Sequence, residues 1–206
     1  MNICWFVVFT VLNFASPGRS EQKEPVALPD PIAYLKNHDA QIQAILGQTS
    51  GDTLLPALRE KIKQHISSTF DFAELSRLAL GNHWSERTPA ERTHFTQTFR
   101  GIIEEQNFDT FLRYYREGKI TYQSATVDDN RATVVGTVPL KREHVEIIYK
   151  MHTIEETWRV YDLTIDGVST AEGNRRRYAR YIEKKSYQQL ITQLDKQLTR
   201  LRDLKE

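Results

Sequence analysis

Between Ile120 and Val168 the apolar side chains recur at every second position, and on either side of that window they recur every three or four. Period two belongs to a half-buried strand and period 3.6 to an amphipathic helix, so the pattern reads as one sheet with helices before and after it. Inside the window, Ile120 and Tyr122 alternate with polar residues. Asp128-Asp129-Asn130 is a turn, and Arg131 to Val138 is rich in Thr and Val. Val145, Ile147, Tyr149 and Met151 alternate cleanly, and Trp158, Val160 and Asp162 oppose Arg159, Tyr161 and Leu163. Strands joined by connections this short pair antiparallel.

The flanks carry helix punctuation. Asp30 caps a first helix with Pro31 at its first position, and Gly47 stops it. Asp52 is the expected cap of a second, whose stripe holds Leu55, Leu58, Ile62 and Ile66. Asp71 with Glu74 opens a third, which ends at Gly81, with Phe70 and Leu75 placed as a hydrophobic staple. Thr88-Pro89-Ala90-Glu91 is a capping box for a longer helix carrying Phe95, Phe99, Ile102 and Ile103. Its apolar phase then slips to Phe108, Phe111, Leu112 and Tyr115. Either it breaks near Asn107 or it is buried on more than one side. Helices return after Ser169 and after Ser186. The fold class is therefore α+β: a curved antiparallel sheet of about four strands with helices packed on one side. A sheet of this kind curls into a cone whose mouth a helix can close, around an apolar pocket.

The first twenty residues stand apart. Ile3 to Phe14 is nearly continuous apolar sequence, too short to cross a hydrocarbon layer of ~30 Å comfortably. With Gly18 and Ser20 as small residues before a cut, it fits a secretory signal peptide at 1–20. A buried N-terminal segment and a retained anchor are the alternatives. Residues 21–29, with Pro25 and Pro29, form a flexible leader, and 30–206 a single domain. Cys4 is the only cysteine, so the mature chain has no disulfide, thiol nucleophile or thiolate-bound metal. Arg19 is the only charged side chain before residue 21, which leaves 27 of each sign in the remainder. A neutral exported chain of this kind is no nucleic-acid binder.

Chemistry-bearing motifs are sparse. There is no nucleophile elbow, zinc-binding H-E-x-x-H, phosphate loop or dinucleotide glycine pattern. His144 and His152 share a strand face but stand about 27 Å apart, too far to ligate one metal. His83 reads as a capping or surface histidine, with an acid/base pairing to Asp71 or Glu74 as the alternative. Arg175, Arg176 and Arg177, with Arg180, Lys184 and Lys185, make the strongest basic cluster, either a solvated helix face or a contact for an acidic partner or anionic headgroups. The chain also holds 9 Phe, 9 Tyr and 3 Trp, which suit a core or a lipid pocket.

Two blocks of residues are familiar in combination. The first is Phe70-Asp71-Phe72-x-x-Leu75-x-Arg77-x-x-Leu80-Gly81-x-x-Trp84, followed by Thr88-Pro89-x-x-Arg92-x-x-Phe95-x-x-x-Phe99. The second is Trp158-Arg159-Val160-Tyr161-Asp162-Leu163-x-Ile165-Asp166-Gly167-Val168-Ser169, with Arg175, Tyr178, Leu190 and Ile191 at the spacing that continues it. Together, over roughly 30–200, they resemble the MlaC family of periplasmic phospholipid-binding proteins, also called the toluene-tolerance auxiliary family. The chain departs from the family pattern at Thr170-Ala171, at Gly173-Asn174 and between Asn107 and Tyr115.

The resemblance implies a periplasmic carrier without catalysis or cofactor, whose cargo is phospholipid with its acyl chains in an apolar cavity. It implies transport between outer and inner membranes that maintains outer-membrane lipid asymmetry. The implied partners are an inner-membrane ABC transporter complex with an MCE-domain protein and an outer-membrane lipoprotein complex, served by a monomer. A hopanoid or other apolar ligand, or a small-substrate enzyme on a cone-shaped sheet, are the alternatives. The residues expected to line the pocket are Trp84, Phe99, Ile103, Tyr115, Val135, Ile147, Tyr149, Trp158, Val160 and Val168. Arg175, Arg176, Arg177 and Arg180 are expected to meet a partner or headgroup. The leader generates the first prediction. N-terminal sequencing of the secreted-pathway product is expected to begin near Glu21, and a product starting at Met1 would overturn export by a cleaved signal.

Overall fold

Five helix starts follow from single side chains that satisfy backbone N–H groups the helix leaves unpaired. In the computed structural model, which describes residues 28–48, 54–141 and 143–204, Asp30 accepts from Ala33 N and opens α1 (Pro31–Leu46). Asp71 accepts from Glu74 N and opens α3 (Phe72–Leu80). Thr88 and Glu91 complete their capping box at α4 (Pro89–Glu117). Ser169 and Ser186 cap α5 (Thr170–Lys184) and α6 (Tyr187–Asp203). Only α2 (Pro56–Ser68) lacks a side-chain cap. Its N-cap is Leu55, and the expected cap, Asp52, lies outside the described residues, as do the signal peptide at 1–20 and most of the leader at 21–29.

The phase slip near Asn107 does not break α4, which runs unbroken for 29 residues. Its two halves face different neighbours. Phe95, Phe99 and Ile102 pack with α3, α5 and α6, whereas Phe108 and Leu112 pack with Ile42, Ile45 and Ile62 of α1 and α2. At Gly101 the approach of α6 is so close that a Cβ would meet Leu198 Cδ1 at 2.9 Å. A gently amphipathic helix with two apolar faces is what a hinge-free strut between two cores requires.

The sheet is antiparallel, in the order β1 (Thr121–Asp128), β2 (Arg131–Pro139), β3 (His144–Ile154), β4 (Thr157–Ile165), β5 (Val168–Ser169). It is open and has five strands where about four are expected, because the Asp166-Gly167 turn returns a two-residue strand. Both turn residues have positive φ, 46° and 77°, as a tight two-residue hairpin demands. The β3–β4 turn uses Glu155 and Glu156 at φ 49° and 62°, a left-handed conformation that two glutamates adopt only under constraint. The β4 edge is not left bare. Beyond β5, Asp71 N donates to Val160 O at 2.9 Å and Val160 N donates to Thr69 O at 2.8 Å, so the chain entering α3 acts as a short parallel strand.

One alternation is overturned within β4. Lys150 pairs with Asp162, but Met151 pairs with Val160, so Tyr161 is an extra residue. This bulge moves Leu163 onto the face of Trp158 and Val160 and turns Asp162 to the other. Asp162 is 2% exposed. It accepts from Ser169 Oγ at 2.8 Å and from Ala171 N at 2.9 Å, and Lys150 Nζ lies 3.5 Å away. The carboxylate thus ties the bulge to the first turn of α5. Replacing it leaves a buried N–H and hydroxyl without a partner. Asp162→Ala is expected to lower stability by about 2–4 kcal/mol in chemical denaturation, and a loss under 1 kcal/mol would contradict this role.

Candidate functional site

The helices leave unfilled space against the inner face of the sheet. Ile147 and Tyr149 of β3, Leu163 and Ile165 of β4, and Ile120 and Tyr122 at the start of β1 face α1, α2 and the second half of α4 across two small cavities. The first, about 70 Å³, lies between α2, α3, α4 and β4, with Ile66, Phe72, Leu75, Ile103 and Phe108 as apolar wall. Lys63, Ser67, Glu104 and Asn107 form its polar rim, where Ser67 Oγ donates to Glu104 at 2.6 Å. The second, about 40 Å³, lies under α1, with Leu35, Ile42, Tyr115, Tyr122, Ile147 and Tyr149 among its walls. Ile66, Phe70, Phe111 and Leu163 belong to both and form the partition.

Each cavity adjoins a larger hollow at the surface. Beyond the first is a groove of about 360 Å³ between α4 and α5, sharing Ile103, Asn107, Ile165 and Thr170 and reaching Phe99, Val168 and Arg177. Beyond the second is a vestibule of about 800 Å³, sharing Asp39, Tyr115 and Ile120 and rimmed by Lys36, Gln43 and Lys119. Shared lining residues join the four hollows in a row, from the groove through the first and second cavities to the vestibule, with the most apolar walls in the middle.

Of the residues expected to line a pocket, Tyr115, Ile147 and Tyr149 stand around the second cavity, Ile103 around the first, and Phe99 and Val168 at the groove. The structure places the other four elsewhere. Trp158 and Val160 are on the inner face, yet α1 and the neighbouring strands cover them. Trp158 Nε1 donates to Pro29 O at 2.6 Å. Val135 is on the outer face, since Ala132, Val134 and Val138 take the inner one. Trp84 lies at the far end of the helical layer, where the Arg92 guanidinium stacks on its ring at 5.5 Å. Among the basic residues, the stem of Arg175 packs on Gly81, the positive-φ residue ending α3. Arg176 pairs with Glu172 at 2.8 Å, and Arg177 donates to Asn174 Oδ1 and Tyr178 OH. Arg175, Arg176, Arg177 and Arg180 are all exposed along α5.

The pairing of His83 with Asp71 or Glu74 does not form. His83 meets Glu86 at 3.4 Å, Asp71 shares a hydrogen bond with His152 at 2.9 Å, and Glu74 is forked onto Arg77. Among the described residues no group of three His, Cys, Asp or Glu could hold a metal ion, and no helix is long and apolar enough to cross a membrane.

A polar cluster that sequence reasoning missed lies beside the second cavity. Asp39 accepts from Tyr115 OH at 2.9 Å and from Tyr122 OH at 2.7 Å. Burial pushes the Asp39 carboxyl up, against the two tyrosine hydrogen bonds that pull it down. Burial drives the phenols of Tyr115 and Tyr122 well above the usual tyrosine range, followed by Asp39 at Tyr115 and by Tyr149 and then Asp39 at Tyr122. The signal was legible: Asp39 falls on the same stripe of α1 as Leu35 and Ile42, where an apolar residue is expected. Next to it, His38 Nδ1 and His65 Nε2 share a hydrogen bond at 3.1 Å between α1 and α2.

The sequence model of the MlaC protein family matches residues 34–196 of the chain. The fold is also similar to that of a phospholipid-binding protein of Ralstonia solanacearum, solved in complex with a phospholipid. The TM-score is 0.71 at 24% identity, over 84% of this chain and 99% of that one.

The histidine pair generates a pH prediction. Burial, then His65, then Arg159 hold His38 down to about 4. The unfolded chain, with a histidine near 6.5, therefore binds more protons than the folded one between these values. This contribution to stability is complete above about pH 6.5 and is lost as pH falls toward 4. The melting temperature is expected to fall across that window, and less steeply in His38→Gln; parallel profiles for the two proteins would contradict it.

Proposed function

The chain belongs to the MlaC family, and we propose that it is a carrier that lifts single phospholipid molecules out of one membrane and delivers them to another. The observation that carries this reading is the row of apolar cavities between the sheet and α1, α2 and α4. The Ralstonia solanacearum protein of the same fold, solved with a phospholipid, supports it. At ~0.8 kcal/mol per buried CH₂, exposing two acyl chains to water would cost on the order of 25 kcal/mol. A carrier must hide both. A bilayer hides them equally well, so affinity relative to the membrane is near balance, and direction comes from partners rather than from the cavity.

The two inner cavities, at about 70 and 40 Å³, are together smaller than the ~150 Å³ that admits a benzene ring. Loading therefore requires the partition to open. Phe70 and Phe111 are its aromatic members, both partly buried, and their rotation would join the two spaces while α1 and α2 move off the sheet. The apolar contacts of these helices with Phe108 and Leu112 have no fixed geometry and can be replaced by acyl chain, whereas the bonds of Asp39 to Tyr122, Tyr34 to Arg159 and Lys63 to Glu105 would have to part or move with them.

In this reading the protein is a monomeric periplasmic shuttle serving outer-membrane lipid asymmetry. An inner-membrane ABC transporter complex with an MCE-domain protein and an outer-membrane lipoprotein complex are its docking partners, and it catalyses no reaction. The exposed arginines of α5 are its docking face. Native mass spectrometry tests the cargo: the purified protein is expected to carry one phospholipid. Phe111→Glu places a carboxylate in the partition at a partly exposed position. It should keep the circular dichroism of the parent and lose the bound lipid. A wild-type protein devoid of lipid, or a folded variant with full occupancy, would overturn the reading.

A further inference from the structure

The vestibule next to Asp39 has a charge arrangement that a pocket for acyl chains alone has no use for. Asp39 is a largely buried carboxylate whose two oxygens each accept from a tyrosine, and among the described residues no Lys, Arg or His forms an ion pair with it. The two phenol hydrogen bonds offset part of the cost of desolvating this carboxylate, and a cationic group on a ligand would supply the counter-charge that no side chain supplies among the described residues. Lys36 and Lys119 rim the same hollow, are exposed, and are likewise free of ion pairs among the described residues. Lys36 and Asp39 are one helical turn apart on α1, at i and i+3. Such residues are neighbours on the helix surface, with Cβ atoms about 5–6 Å apart. The site thus offers two cations for an anion and, a few ångströms deeper, one anion for a cation, and it opens inward onto the second apolar cavity through Asp39, Tyr115 and Ile120.

The opposite end of the row lacks these features. Arg177, the cation at the groove, is already engaged by Asn174 and Tyr178 and stacks on the Tyr178 ring at 4.9 Å. The groove also contains no carboxylate.

Resting on the carrier reading above, we propose that the vestibule is a headgroup subsite selective for zwitterionic phospholipids with a primary amine, in which Lys36 and Lys119 take the phosphate and Asp39 takes the ammonium. The acyl chains run inward past Tyr115 toward Phe70 and Phe111. The headgroup folds back over α1, and its ammonium donates to the carboxylate lone pairs that Tyr115 and Tyr122 leave unused. Tyr115 and Tyr122 hold the carboxylate in place and share its charge. A phosphatidylglycerol headgroup meets the lysines equally well but leaves Asp39 without its counter-ion, and that difference is the source of the selectivity.

The test is competitive loading. The purified protein is incubated with vesicles of equal parts isotope-labelled phosphatidylethanolamine and phosphatidylglycerol, and the labelled lipid it acquires is measured by mass spectrometry. The wild type is expected to favour the ethanolamine lipid by about tenfold. Asp39→Asn, which keeps acceptor and donor atoms for both tyrosines, should bring the ratio near one by lowering uptake of the ethanolamine lipid. Lys36→Glu combined with Lys119→Glu should reduce uptake of both lipids. Equal loading of the two lipids by the wild type, or an undiminished preference in a folded Asp39→Asn, would overturn the subsite while leaving the carrier reading intact. Uptake of neither lipid by the wild type would instead remove the carrier reading, and the subsite with it. The wild-type ratio decides the matter alone should the variant fail to fold.

Discussion

The buried carboxylate of Asp162 holds the seam on which the architecture turns. Without the bulge at Tyr161, β4 would present Asp162 to the inner face and Leu163 to the outer one. The partition between the two cavities would then lose an apolar member and gain a charge. With the bulge, the same carboxylate reaches Ser169 and Ala171 and fixes where α5 begins. The β4 edge is completed by β5 on one side of the bulge and by Thr69–Asp71 on the other. β4 is therefore the strand at which α3 and α5 both meet the sheet, and both cavities lie next to that join.

The two sequence blocks that carry the family resemblance supply both cavity wall and joinery: Phe70, Phe72, Leu75, Leu163 and Ile165 line the first cavity, and other block residues tie elements together. Asp71 caps α3 and meets His152, Gly81 receives the stem of Arg175 from the other block, and Asp162 ties β4 to α5. Trp84 and Trp158 likewise anchor ends of elements. Among the block residues expected at the pocket, Trp84, Trp158 and Val160 serve such joints, whereas Phe99 and Val168 reach the groove. A joint needs one residue type at one spacing, whereas a wall for acyl chains accepts any apolar side chain of suitable size.

What was legible in the sequence followed from local rules. Caps at Asp30, Asp71, Thr88, Ser169 and Ser186 act within three residues, and each forms as expected. The period-two window gave the strands because one face is buried. The bulge was not legible, since Trp158 to Asp162 alternates acceptably without it and only the partner strands impose the extra residue. Val134 and Val135 are adjacent and chemically equal, so their faces depended on register that is set elsewhere. The cavities arise where the helices leave space against the sheet, which no single residue encodes. Asp39 could have been found, as a carboxylate out of place on an apolar stripe.

The two rings of the partition give the row of hollows a further property. Because Phe70 and Phe111 stand in its middle, the passage from vestibule to groove is interrupted rather than continuous. An amphipath that enters tail-first from one end would have to drag its polar portion through the aromatic constriction to leave by the other. Retreating by the way it came involves no such desolvation. The topology is that of a sheath rather than a pipe. For the carrier proposed above, with the partition closed again after loading, donor and acceptor would each address the same opening.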